Sequence, residues 1–248
     1  HLHWCNQWNT DFLYTAPELD QISAWLRKFG LQLNDIHASA GREKSWSSPR
    51  EYERLAGVEL VKNRMDMAAR LGSDVIIMHF PSEPKEKAEA EAFWDRMRRT
   101  LDELQAHSRA RGVRLAVENL DARSFPTLAK IFDAYGSGFA GLCYDSGHAN
   151  LGGQDGPASL DPWKHRLIAL HLHDNDGTGD QHKLPFTGTV DWKRLVPLLA
   201  ASSYTKPISL EVVIGNTGIP DEREFLYKAF EAGTAISKGV ETSRRGQT

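Results

Sequence analysis

The chain has 248 residues, within the usual size of one α/β barrel and ample for a buried core. Lys plus Arg number 30 and Asp plus Glu 33, a net charge of −3, so no global charge draws the chain to nucleic acid or to an anionic membrane. Two cysteines, Cys5 and Cys143, exclude a disulfide framework. No apolar run approaches the ~18 residues of a membrane span and no signal peptide is visible, so a cytoplasmic location is expected.

Residues 1–5 predict the end of a strand. Thr15 and Glu18 form a capping box with Pro17 inside the first turn. Leu19, Ile22, Trp25, Leu26 and Phe29 then recur at helical spacing until Gly30. Residues 31–37 (LQLNDIH) read as a strand. Ser48, Pro49 and Glu51 start a second helix, which stops at Gly72. A strand over 73–79 (SDVIIMH) precedes a third helix that carries Phe93, Met97, Leu101 and Leu104 and stops at Gly112. Strands over 113–119 (VRLAVEN), 139–145 (FAGLCYD), 167–173 (LIALHLH) and 207–213 (PISLEVV) alternate with helices near 126–135, 191–201 and 221–235. Residues 236–248 are polar and predict a loose tail. The alternation predicts an α/β chain, a (β/α)8 TIM-type barrel in one metal-binding domain over 1–235. Seven strands at most are visible against eight in a closed barrel, so either a βα unit precedes residue 1 or the barrel is incomplete.

The last residues of these strands carry the chemistry: His37, His79, Glu118, Asp145, His171 with His173, and Glu211. Side chains alternate faces along a strand. Glu118 shares its face with Ala116, Asp145 with Cys143 and Gly141, His171 and His173 with Ala169, and Glu211 with Ser209. The bulky residues take the opposite face. That pattern fits a barrel packed on helices outside, with polar residues at the mouth, where such barrels place their active sites. Carboxylates gathered there repel one another unless protonated or bound to cations, and with imidazoles beside them a divalent metal is the simplest resolution. Separate ion pairs and structural histidines explain one such residue well, but not a succession of strand ends.

Loop residues extend the pattern. His148 lies three residues after Asp145, and Asp180 and His182 follow a Gly- and Asp-rich loop. Together they could form a second metal site or hold substrate hydroxyls. His107 and His165 fall in helical stretches and read as surface or helix-end residues. Trp46, Trp163 and Trp192 could stack on a sugar, although most tryptophans are packing residues. No phosphate-loop or dinucleotide fingerprint is present.

The ordered pieces DIHAS, VIIMHFP, LAVENL, CYDSGHAN, HLHDNDG, DQHKLP and ISLEVV resemble the xylose isomerase-like superfamily of barrels from about residue 31 to 215. That superfamily holds the sugar phosphate isomerases and epimerases and, more distantly, the family 2 apurinic-site endonucleases with their three zinc ions. The resemblance implies a metal on Glu118, Asp145, His171 and Glu211. Glu118 and Glu211 would also move the proton, and His148 would contact substrate. His37, His79, His173 and Trp46 are further candidate substrate contacts. The endonuclease pattern instead implies a second and third metal on His37 and His79, and on His148, Asp180 and His182. The family's Pro-Gly-x-Gly turn reads Pro185-Phe186-Thr187-Gly188 here, a departure.

The expected activity is isomerisation or epimerisation of a sugar, sugar acid or sugar phosphate through a metal-bound enediolate, with Mn, Mg, Co or Zn as cofactor. The alternatives are a trinuclear-zinc apurinic-site endonuclease and a lyase or dehydratase on the same barrel. The expected partners are a small-molecule sugar and, in a homo-oligomer, further copies of the chain. Membrane and nucleic acid are not expected.

Overall fold

A computed structural model describes residues 1–246. Its contacts group the chain into two units, each described by itself.

The first unit holds His1–Val117 and Asp133–Ala140. Strand β1 (Leu2–Trp4) pairs in parallel with β2 (Leu33–His37), with His3 opposite Asp35. Strand β2 pairs in parallel with β3 (Val75–His79), and β4 (Arg114–Glu118) contributes its residues through Val117. Helices α1 (Ala16–Lys28), α2 (Glu51–Leu71) and α3 (Lys87–Arg111) connect them. The capping box forms: the Thr15 N–H donates to the Glu18 carboxylate at 2.7 Å. Gly72 and Gly112 end α2 and α3 at φ 85° and 66°, the left-handed backbone that favours glycine. Leu115, Ala116 and Val117 are all fully buried, because both faces of a parallel strand are covered.

The second unit holds Glu118–Phe132 and the chain from Gly141 onward. Strand β5 (Ala140–Asp145) runs into a one-turn helix α5 (Ser146–Ala149), and pairs in parallel with β6 (Leu167–His171). Helix α4 (Phe125–Ala134) precedes β5, and α6 (Gly156–Leu160), α7 (Trp192–Ala200) and α8 (Glu222–Arg245) complete the series.

Three expectations need correction. The segment 207–213 forms no ladder strand. Only the bridge Leu172–Leu210 survives, because the Val213 N–H turns instead to the His182 carbonyl at 2.9 Å. Strand β6 stops at His171, since the His173 N–H is taken by the Ser146 hydroxyl at 3.0 Å. The tail expected from residue 236 is helical through Arg245, with Ile236 and Val240 buried; residues 247–248 lie outside the described part. Among the described residues no helix is long and apolar enough to cross a membrane.

Candidate metal centre

Glu118 is fully buried at the end of β4, and the next residue locks the centre's frame. The Asn119 amide donates to the Asp145 carbonyl at 2.9 Å and accepts from the Asp145 N–H at 2.9 Å. Asp145 in turn caps α5, its carboxylate accepting from the His148 N–H at 2.7 Å. This short helix brings the His148 ring back over both acids, with Nδ1 3.3 Å from Glu118 and 3.7 Å from Asp145. A Cβ on Gly147 would lie 1.9 Å from the His173 ring, so that turn admits only glycine.

His171 sits between two glutamates. Its Nδ1 is 3.1 Å from Glu118 Oε2 and 2.9 Å from Glu211 Oε2. Donor atoms of Glu118, Asp145, His171 and Glu211 all lie within 4.8 Å of one another. Cys143, buried one strand residue-pair behind Asp145, brings its sulfur within the same distance of Glu118 and His171. Glu118 is sealed, whereas the Glu211 side chain is 24% exposed.

His173 faces a second group. Its Nε2 is 3.0 Å from Asp145 and 3.6 Å from Asp180, and its ring stacks on His182 at 4.1 Å. Asp180 Oδ2 reaches His182 Nε2 at 3.0 Å and His148 Nε2 at 3.3 Å. His148, His173, Asp180 and His182 therefore converge as one cluster, and His171, not His173, is the imidazole that joins the two glutamates.

The electrostatics follow from burial and crowding. Burial alone would lower the His148 imidazole, but Asp145, Asp180 and Glu118 outweigh it and push it up to about 12. Burial also opposes charge on His171, and Glu118 and Glu211 raise it well above its ordinary value. His182 is raised to about 9, chiefly by Asp180 against burial. Burial would raise Asp180, but His148 and His182 hold it far below the usual carboxylate range. The carboxylates thus draw positive charge into the centre. A set of oxygen and imidazole donors with this demand fits a divalent cation, which Glu118, Asp145, His171 and Glu211 would hold.

In the first unit, His37 and His79 come together, Nε2 to Nε2 at 3.3 Å. Trp46 does not join them. It is 4% exposed and packs on Phe80 with ring centroids 5.7 Å apart, so it is a packing residue rather than a sugar contact. The tryptophan beside the imidazoles is Trp8, 4.5 Å from His37 and 5.3 Å from His79 between centroids, which sequence reading missed. His3 and Asp35, 2.6 Å apart, were also missed. Their partnership depends on the β1–β2 register, although the side-chain alternation puts Asp35 on the face of His37.

A family model described as xylose isomerase-like TIM barrel matches residues 3–229. The chain belongs to that family. Its fold is therefore the α/β TIM-type barrel. The uncharacterized protein y4fM of Sinorhizobium fredii is 32% identical over 98% of this chain and 86% of its own length. A probable endonuclease 4 of Mycobacterium marinum is 28% identical over 86% of this chain and 84% of its own. Among solved structures, a D-tagatose 3-epimerase-like protein superposes with a TM-score of 0.76 at 18% identity, covering 94% of this chain and 86% of the other.

Proposed function

We propose that the chain is a divalent-metal-dependent isomerase or epimerase of sugars, sugar acids or sugar phosphates. The observation that carries this reading is the convergence of Glu118, Asp145, His171 and Glu211 within 4.8 Å. The likeness to the D-tagatose 3-epimerase-like fold supports it. When bound, the metal supplies Lewis acidity toward a substrate carbonyl and its neighbouring hydroxyl. The two glutamates approach His171 from separate segments, so they can flank a substrate carbon and serve as base and acid in turn. The Glu211 side chain is 24% exposed and Glu118 is fully buried, so Glu211 is the one of the two that solvent reaches. His148 stands ready to orient a hydroxyl, and the fully buried His173 holds Asp145 and Asp180 in place.

Deuterium from heavy water should enter the carbon beside the carbonyl of a ketose or keto acid. Incorporation should stop on chelation and in Glu211→Gln, with the fold intact. Turnover with a fully retained label and no primary isotope effect rules the mechanism out.

One observation favours a second reading, phosphodiester hydrolysis. His173, Asp180 and His182 form a further cluster fit for a cation, and endonuclease 4 is among the relatives. Salt-sensitive binding and cleavage of an abasic duplex at catalytic enzyme concentration would select it.

A further inference from the structure

The metal centre has a floor. Strands β5 and β6 pair with Asp145 opposite His171 and, two residues back along each strand, Cys143 opposite Ala169. Alternation puts Cys143 on the face of Asp145 and Ala169 on the face of His171. Ala169 contributes only a methyl group there, and both floor residues are fully buried. The Cys143 sulfur and donor atoms of Glu118 and His171 all lie within 4.8 Å of one another. A buried thiol is most often a small packing group with apolar neighbours. This one shares its space with a buried carboxylate and a buried imidazole, the two other donor types of zinc sites.

Two ligand sets therefore share Glu118 and His171. One adds the carboxylates of Asp145 and Glu211, and the other adds the Cys143 sulfur. Oxygen-rich sets suit Mn²⁺ and Mg²⁺, whereas a thiolate favours Zn²⁺ and softer cations. The sets differ in solvent access too. The Glu211 side chain is 24% exposed, while Glu118, Cys143 and His171 are all buried.

We propose that Cys143 is a metal ligand: with Glu118 and His171 it forms an inner seat for Zn²⁺ or Co²⁺ behind the oxygen-rich seat, and so sets which cation the centre retains. This rests on the metal centre proposed above. Coordination exchanges the thiol S–H bond for a sulfur–metal bond and releases the proton to solvent. Because Glu118 and His171 serve both seats, Zn²⁺ in the inner seat and Mn²⁺ in the outer one compete for them. Burial of all three inner ligands keeps that ion away from water.

The test is a spectrophotometric titration of the metal-stripped full chain with Co²⁺. A sulfur-to-cobalt charge-transfer band should grow in the near ultraviolet and fade as Zn²⁺ is added. The sequence has two cysteines, so in Cys5→Ser the remaining thiol is that of Cys143, and the band should persist. That variant decides the point even if substitution at the buried Cys143 impairs folding. Cys143→Ser and Cys143→Ala should lose the band. Their Zn²⁺ affinity should fall about tenfold or more, while Mn²⁺ affinity changes by less than about threefold. Co²⁺ bound by Cys5→Ser without the band, or a band that survives in Cys143→Ser, overturns the ligand. Mn²⁺-dependent deuterium uptake by a chain that shows no band with Co²⁺ overturns the inner seat and leaves the proposed reaction standing. A wild type that binds none of Co²⁺, Zn²⁺ and Mn²⁺ overturns the metal centre and the inner seat together.

Discussion

Gly147 shows how one missing side chain can carry a centre. Its added Cβ would meet the His173 ring at 1.9 Å, and neither side can give, because the Asn175 amide donates to the Gly147 carbonyl at 2.8 Å and His173 is buried. Gly147→Ala should therefore displace His173 from Asp145 and shift the α5 turn that aims His148. The expected outcome is a loss of about a hundredfold or more in activity, with a fall in metal affinity of about tenfold. Isothermal titration with Mn²⁺ beside the deuterium assay checks it, and wild-type values in both would contradict the geometry. Glu118, Asp145 and His171 were legible because each ends a strand and alternation fixes its face, whereas Glu211 lies on a segment that makes only one bridge. Trp8 and His3 were not. Their meaning comes from register and from loop backbone carbonyls, which leave no periodic trace in the sequence.

Helix boundaries were the most readable elements, since each is set by local chemistry. The capping box at Thr15 and the glycine stops at Gly72 and Gly112 were read correctly. At Gly112 a Cβ would meet nothing within 4 Å, so its only cost is the left-handed φ of 66°. Gly112→Ala should destabilise the fold by about 1 kcal/mol in urea unfolding while leaving metal affinity unchanged. A larger loss would show that α3 ends on a contact not captured by its backbone. The elements read less well depend on partners distant in sequence. Residues 207–213 have the composition of a strand, but Leu210 and Val212 spend their side chains on Leu184, Phe225 and Ala229 while the backbone pairs at one bridge. The polar composition of the last residues hid two buried positions of α8, Ile236 and Val240, spaced one helical turn apart.

At the scale of the whole molecule, the alternation of elements made the barrel legible, and the loop residues His148, Asp180 and His182 were grouped from the sequence, while the place of His173 beside Asp180 and His182 was not. The net charge of −3 argued against nucleic acid, and two of the three arginines over residues 96–99 are engaged by neighbours. Arg96 donates to the Ser47 carbonyl at 2.9 Å, and Arg99 lies 3.0 Å from Glu51 and 3.4 Å from Asp95.

The same charge accounting gives a pH test of the metal. Without metal, the folded chain keeps protons on His148, His171 and His182 well above the ordinary imidazole value of 6.5. The unfolded chain releases them near 6.5, so above that pH the folded state binds more protons than the unfolded state. Stability from these groups is complete below 6.5 and declines as pH rises, by about 1.4 kcal/mol per pH unit for each proton retained. The decline ends for His182 near its folded value of about 9 and for His148 near about 12. In the loaded chain the cation displaces protons from the folded state, so binding tightens as pH rises and offsets the decline for each proton displaced. At a fixed free Mn²⁺ a hundredfold above the Kd at pH 6.5, loading should add about 2.7 kcal/mol there and more at higher pH. Urea unfolding from pH 6.5 to 8.5 should therefore show stability falling with pH in chelator and a shallower slope with Mn²⁺. Parallel slopes would mean that protons, and not a cation, balance these carboxylates in the working protein.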